Sequence, residues 1–157
     1  MIRMAMSEDL PVILKIYENA RRFMAENGNP NQWGKTNPPR HVLERDIELG
    51  QLYMVVREGK IRGVFAFIPG TDPTYGYIDG AWRSDQPYAA IHRVASDGAG
   101  GILAEAVAYA WERIKHLRID THEDNWVMQR AIERAGFHKC GVIYLEDGSP
   151  RIAYDRV

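Results

Sequence analysis

Cysteine is almost missing from this chain: Cys140 stands alone among 157 residues. A single thiol excludes an intrachain disulfide framework and any zinc site built on several cysteines, and it fits a reducing, cytoplasmic setting. An excess of one charge is also lacking. The formal net charge is −1 and no basic run stands out, so nucleic acid is not an expected partner. No apolar stretch reaches the length of a membrane span, so no membrane partner is expected, and Met1-Ile2-Arg3-Met4 opens into structure rather than a signal peptide. Internal repeats and low-complexity tracts are absent too. What remains, 45% hydrophobic and 26% charged residues, is the composition of an ordinary globular protein. One domain spanning residues 1–157 is the simplest partition, and a chain of that length buries about 70% of the surface it exposes when unfolded.

Periodicity divides the chain into alternating elements. Ile2 to Met6 reads as a short strand, and Ser7 as the N-cap of a helix with a stripe at Leu10, Ile13, Leu14, Tyr17 and Met24. Asn27-Gly28-Asn29-Pro30-Asn31 breaks it, and a loop runs through Trp33 to Pro39 before a shorter helix around Leu43 and Ile47, stopped at Gly50. Leu52–Arg57 and Ile61–Ile68 form a hairpin about Glu58-Gly59-Lys60. The second of these strands is apolar on both faces, which makes it central. Thr74 to Trp82 reads as a further strand or an extension. After a strand at Leu117–Thr121, Asp124 or Asn125 caps a helix striped by Met128, Ala131, Ile132 and Ala135, and Gly136-Phe137 ends it. Strands at Cys140–Leu145 and Ile152–Val157 close the chain. The order predicts an α/β domain with one mixed sheet.

The segment Tyr88–Trp111 organises the rest. A strand, with Ala89, Ile91, Arg93 and Ala95 on one face and Ala90, His92, Val94 and Ser96 on the other, runs into Gly98, Gly100 and Gly101 and then into an amphipathic helix. Such a helix start offers free N–H groups and a positive dipole end to an anion such as phosphate. A Walker loop is excluded because Gly101 precedes Ile102 rather than Lys and Ser or Thr. A dinucleotide fingerprint is excluded because Leu103 stands where its third glycine belongs. By itself a glycine cluster is equally consistent with a plain turn.

The whole succession resembles the GNAT superfamily of acetyl-CoA-dependent N-acetyltransferases. Its best-matched pieces are Ile91–Ile114 and Asn125 through Ala135-Gly136-Phe137, with N-P-x-Q-W (Asn29–Trp33) and Y-x-x-I-H-R-x-A-S (Tyr88–Ser96) as in one subgroup. The resemblance implies a single-domain α/β fold: a central mixed, mostly antiparallel sheet of six to seven strands flanked by about four helices. It implies acetyl-CoA as co-substrate, no metal, and a small-molecule or peptide amine as acceptor; a homodimer is compatible with it. Carried over, Val94, Ala95 and Ser96 pair with pantetheine as an added strand. Gly98, Ala99, Gly100, Gly101, Ile102, Leu103 and Ala104 cradle the pyrophosphate, and Asn125, Met128 and Gln129 face the pantetheine arm. The loop departs from the family pattern and allows two registers: small residues at Gly98 and Gly100 with Ala95 in the basic or amide position, or small positions at Ile102 and Ala104.

Acetyl transfer needs a neutral amine, and a lysine-like amine with pKa about 10.4 must first lose a proton. The attack builds an oxyanion that a backbone N–H can stabilise. Many GNAT members protonate the departing thiolate with a tyrosine four residues before the Gly-Phe pair; that position here is Ile132. An alternative reading of the chain is therefore a GNAT-like module that binds acyl-CoA without turning it over. His92, mid-strand, is the candidate base, its other reading being a hydrogen-bonded structural histidine. His122 could serve instead. Tyr144 is the candidate replacement acid, its other reading being strand packing. Trp33 and Trp82, in or beside loops, are candidate substrate contacts, and Arg21 and Arg22 could meet an acidic acceptor. Cys140 reads as a buried strand residue, and His41, His116 and His138 as surface residues.

Overall fold

Eight strands form one sheet in the spatial order β1-β2-β3-β5-β6-β8-β7-β4. The computed structural model describes residues 1–157. The elements are β1 (Ile2–Met4), α1 (Leu10–Glu26), α2 (Arg40–Glu48), β2 (Leu52–Arg57), β3 (Lys60–Pro69), β4 (Asp79–Gly80), β5 (Ala89–Ser96), α3 (Ile102–Arg113), β6 (Leu117–Thr121), α4 (Trp126–Arg134), β7 (His138–Tyr144) and β8 (Pro150–Arg156). Every neighbouring pair is antiparallel except β5 and β6. The mixed, mostly antiparallel α/β sheet with four helices is as expected, but it carries eight strands rather than six to seven. No helix is long and apolar enough to cross a membrane.

Strand alternation divides the core into two layers. Leu52, Met54 and Val56 of β2, with Val64 and Ala66 of β3, pack against Ile13, Ile16 and Tyr17 of α1 and Leu43 of α2. The intervening Val55, Phe65 and Phe67 point to the opposite face, where Leu103, Ala106, Val107 and Ala110 of α3 and Ile132 of α4 cover them. This two-sided cover is what the all-apolar pattern of β3 required. Gly63 lets α3 sit close to the sheet: a Cβ there would fall 2.5 Å from Ile102 Cγ2.

Three local expectations change. Ser7 does not cap α1; Ser7–Asp9 is a 3₁₀ turn, and the Asp9 carboxylate accepts the Met6 N–H at 2.8 Å together with two Arg3 bonds. Most of Thr74–Trp82 is not strand, because Asp72 Oδ1 accepts the Thr74 N–H and opens a 3₁₀ turn at Pro73–Tyr75. Only Asp79–Gly80 joins the sheet, beside β7. His116 is not a surface residue. It is 4% exposed and its Nδ1 lies 3.0 Å from the Gln86 carbonyl oxygen.

Candidate active site

The central feature is a discontinuity in β5. Across to β3, Ala95 faces Val64 and His92 faces Ala66, so Arg93 and Val94 together occupy one step of the ladder. This is a β-bulge, which bends the strand and leaves backbone groups without a ladder partner. The extra residue reverses the expected alternation: Ile91 belongs to the α3 layer and Ala95 to the α1 layer. Arg93 sits at φ 52°, a left-handed conformation uncommon for a residue with a side chain. Two contacts hold it there. The Tyr17 hydroxyl donates to the Arg93 carbonyl at 2.6 Å, and the Arg93 guanidinium makes a two-pronged pair with buried Asp46 at 2.7 and 2.9 Å.

On its other side β5 pairs with β6 only at Ala89–Leu117 and Ala90–Arg118. Beyond Ala90 the two strands part, so a backbone edge of β5 stays open beside the bulge. At the end of β5, Ser96 Oγ accepts the Gly98 N–H at 3.0 Å and donates to the Ala99 carbonyl, while Asp97 Oδ1 accepts the Ala99 N–H. Gly101, at φ 79°, then turns the chain into α3. The N–H groups of Gly98 and Ala99 are thus taken. Those from Gly100 to Ala104 have no partner within the chain, since the first helical bond is Glu105 N–H to Gly101 O. Arg57 fixes the helix start by donating to Gly100 O at 2.8 Å and to Glu105 at 2.7 Å. Five unpaired donors at a helix N-terminus suit a diphosphate.

Between the parted strands lies a cleft of about 480 Å³, within the usual range for small-molecule sites. His92 stands on its wall with Nε2 2.7 Å from Asp72 Oδ2, while Nδ1 is 3.9 Å from Asp120 Oδ2. Burial alone would raise the Asp72 carboxyl; hydrogen bonds from His92 and Thr74 outweigh it and hold the carboxyl at about 2. An ionised Asp72 can only accept, which assigns the proton of a neutral His92 ring to Nε2 and leaves the Nδ1 lone pair free. Asp120 is itself fixed by the Tyr75 hydroxyl, which donates to Oδ2 at 2.7 Å. This is a histidine oriented by one carboxylate, with a second carboxylate beside its basic nitrogen.

The loop after α1 roofs the cleft. Asn125 Oδ1 caps α4 by accepting the Met128 N–H at 3.0 Å, and its Nδ2 donates to Gln32 Oε1, which also accepts from Asn29. Arg151 Nη2 reaches the Gln32 carbonyl at 3.3 Å. Trp33 lines the cleft and packs on Tyr17 with ring centroids 5.6 Å apart.

A GNAT-family acetyltransferase from Streptococcus agalactiae superposes on this chain with TM-score 0.89 and 30% identity, covering 100% of this chain and 94% of that one. The chain belongs to the GNAT acetyltransferases. A GNAT-family acetyltransferase from Listeria monocytogenes (19% identity, TM-score 0.73, 99% and 93% covered) shares the fold. So does a ribosomal-protein-alanine N-acetyltransferase from Brucella melitensis (24% identity, TM-score 0.63, 100% and 99% covered). No protein-family model and no curated protein matches the sequence.

Within this GNAT chain the structure gathers His92, Val94, Asn125, Met128 and Trp33 around one cleft. Other candidates fall elsewhere. Tyr144 is 43% exposed, lies against Tyr77 and does not line the cleft, whereas its neighbour Leu145 does. Trp82 lines a separate depression rather than the cleft, donating to Tyr75 O and carrying the Arg118 guanidinium 4.1 Å over its ring. Gln129 secures the preceding loop by donating to the His122 and Glu123 carbonyls. His122 Nδ1 accepts the Asp124 N–H within that loop, outside the cleft. The run of free N–H groups begins at Gly100, since Gly98 and Ala99 are committed to their own turn. Arg21 donates to Asn37 O, and Arg22 pairs with Glu18 on the helix surface. Cys140 is half-buried rather than buried, and burial pushes its thiol up to about 11, which removes thiolate character.

Sequence reading missed Asp72, Asp120 and Arg151. The Asp72-Pro73-Thr74 turn was a local signal for an aspartate accepting from the chain. Nothing local linked it to a histidine twenty residues away in sequence.

Proposed function

We propose that this GNAT acetyltransferase transfers an acetyl group from acetyl-CoA to a primary amine by direct attack within a ternary complex, with His92 as the base. The observation that carries the reading is the free Nδ1 of His92, oriented by Asp72 and adjoining a bulge with unpaired backbone groups. The diphosphate would sit on the N–H groups of Gly100 to Ala104, and pantetheine would run along the open β5 edge at Val94 to Ser96. Acetyl-CoA brings the electrophilic thioester carbon. His92 Nδ1 takes a proton from the ammonium, the amine nitrogen bonds to the acetyl carbon, and a bulge N–H faces the oxyanion. The nitrogen then gives its second proton to water as the carbon–sulfur bond breaks, and the thiolate, with an ordinary pKa of about 8.5, leaves as the anion and is protonated from water. No side-chain acid is required, consistent with Ile132 being fully buried in the core.

Two measurements test this. Acetyl-CoA at about 100 times its dissociation constant should stabilise the fold by about 2.7 kcal/mol, read as a rise in Tm. Thiol release over an amine panel should then show turnover, with His92→Ala lowering kcat by about 100-fold while the acetyl-CoA shift persists. No shift at millimolar acetyl-CoA overturns the proposal. A shift without thiol release for any amine would favour the binding module, a reading that rests on Ile132 and the irregular glycine loop.

A further inference from the structure

Asp72, Arg93, Asp120 and Arg151 are the charged side chains lining the cleft. Asp72 is matched by His92, and Arg93 by Asp46. Asp120 is bonded to Tyr75 and adjoins His92. Arg151 differs. It is 7% exposed, and its guanidinium donates only to carbonyl oxygens, Nη1 to Pro150 at 2.8 Å and Nη2 to Gln32 at 3.3 Å. A guanidinium carries five N–H donors in a planar fork, so three remain unassigned. A buried charge without a counter-ion in contact is costly, and an incoming anion would relieve it. Burial indeed lowers the Arg151 pKa, with Asp120 the main opposing influence.

The cleft's other charges select the anion. Asp72 and Asp120 share the cavity, so a dianionic phosphate would be repelled, whereas one carboxylate on the fork leaves the carboxylates free to attract a cation. The spacing favours an ammonium in particular. Asp120 Oδ2 and His92 Nδ1 are 3.9 Å apart, and one nitrogen can lie about 2.8 Å from both. A cleft of about 480 Å³ has room for a small acceptor beside the acetyl end of the donor.

We infer that the acceptor is a small zwitterion of the amino-acid type, with Arg151 binding its carboxylate and Asp120 holding its ammonium at His92 Nδ1. This rests on the acetyl-transfer reading above and names its acceptor class. Gln32 connects the specificity residue to the roof, because its carbonyl takes the Arg151 bond and its side chain takes Asn125.

The test compares the protein amino acids with their carboxamides, which keep the amine and side chain but lose the anion. In thiol release, wild type should prefer acids over amides by about 100-fold in kcat/KM, the worth of a charge-assisted pair in a desolvated site. Arg151→Gln should collapse that ratio toward unity, chiefly through KM for the acid, and Arg151→Lys should restore part of it. A second arm needs no turnover. With CoA present, N-acetylamino acids should raise the Tm of wild type and their carboxamides should not, and Arg151→Gln should abolish the difference. Equal use of acids and amides by wild type overturns the inference, even with acetyl transfer intact. Failure of every amine to release thiol would instead count against the acetyl-transfer reading, and the Tm arm would still decide whether Arg151 binds a carboxylate.

Discussion

The bulge at Arg93 gives the sharpest test of how the fold builds the site. Arg93→Ala removes both prongs of the pair with Asp46, a residue only 2% exposed, and leaves that carboxylate with Gln51 as its remaining side-chain partner. Removing one partner of a buried pair costs about 3–5 kcal/mol. The alanine must still hold φ near 52°, a left-handed conformation that costs about 1–2 kcal/mol for an L-residue. Arg93→Gly loses the same contacts but escapes that strain, with roughly 0.5–1 kcal/mol returned as the greater freedom of glycine in the unfolded chain. Glycine should therefore be more stable than alanine by about 0.5–1 kcal/mol, although both fall well below wild type. Urea unfolding of the three proteins, with thiol release measured alongside, checks the ranking. Alanine matching or exceeding glycine would refute the claim that side-chain contacts hold the bulge against backbone strain. A loss below about 1 kcal/mol in both variants would refute the clamp itself.

Two further outcomes follow from contacts around the cleft. The Asp72 carboxyl is held at about 2, below its ordinary 3.8, so its contribution to stability is complete above about pH 4 and is lost as pH falls toward 2. The stability gap between wild type and Asp72→Asn should shrink on acidification across that window, and a gap that stays constant in urea midpoints at pH 5 and pH 2.5 would contradict the assignment. Gly63→Ala would place a methyl 2.5 Å from Cγ2 and 2.8 Å from Cδ1 of Ile102, the first residue of α3. Ile102 is buried and β-branched, so the helix start must move; a loss of about 1–3 kcal/mol and weaker acetyl-CoA binding are expected, and unchanged affinity by calorimetry would show that the N–H groups from Gly100 onward are not the donors.

Much of the architecture was legible because it depends on local patterns. The stripe of α1, the two-faced apolar run of β3, a cap for α4 at Asp124 or Asn125 and Gly101 before α3 each follow from period, propensity or backbone freedom within a few residues. So does the donor run at the start of α3, since helix ends always leave N–H groups unpaired. His92 could be picked out as a candidate base from the strand that carries it. Its orientation could not, because Asp72 and Asp120 come from a turn and another strand.

The sequence alone thus determined the succession of elements, the GNAT resemblance and the chemistry at hand: a histidine, a glycine-rich helix entry and no tyrosine before Gly136. Tertiary structure decided which groups meet. Strand alternation placed Arg93 beside Ile91, until the bulge added one residue and reversed the parity beyond it; a bulge is set by contacts with Tyr17 and Asp46, distant in the chain. Tyr144 and Trp82 had suitable chemistry but point to other surfaces, whereas Arg151, unremarkable in sequence, is buried in the cleft without a counter-ion. Local sequence fixes backbone preference over a few residues, but burial and charge pairing are properties of surfaces brought together from the whole chain.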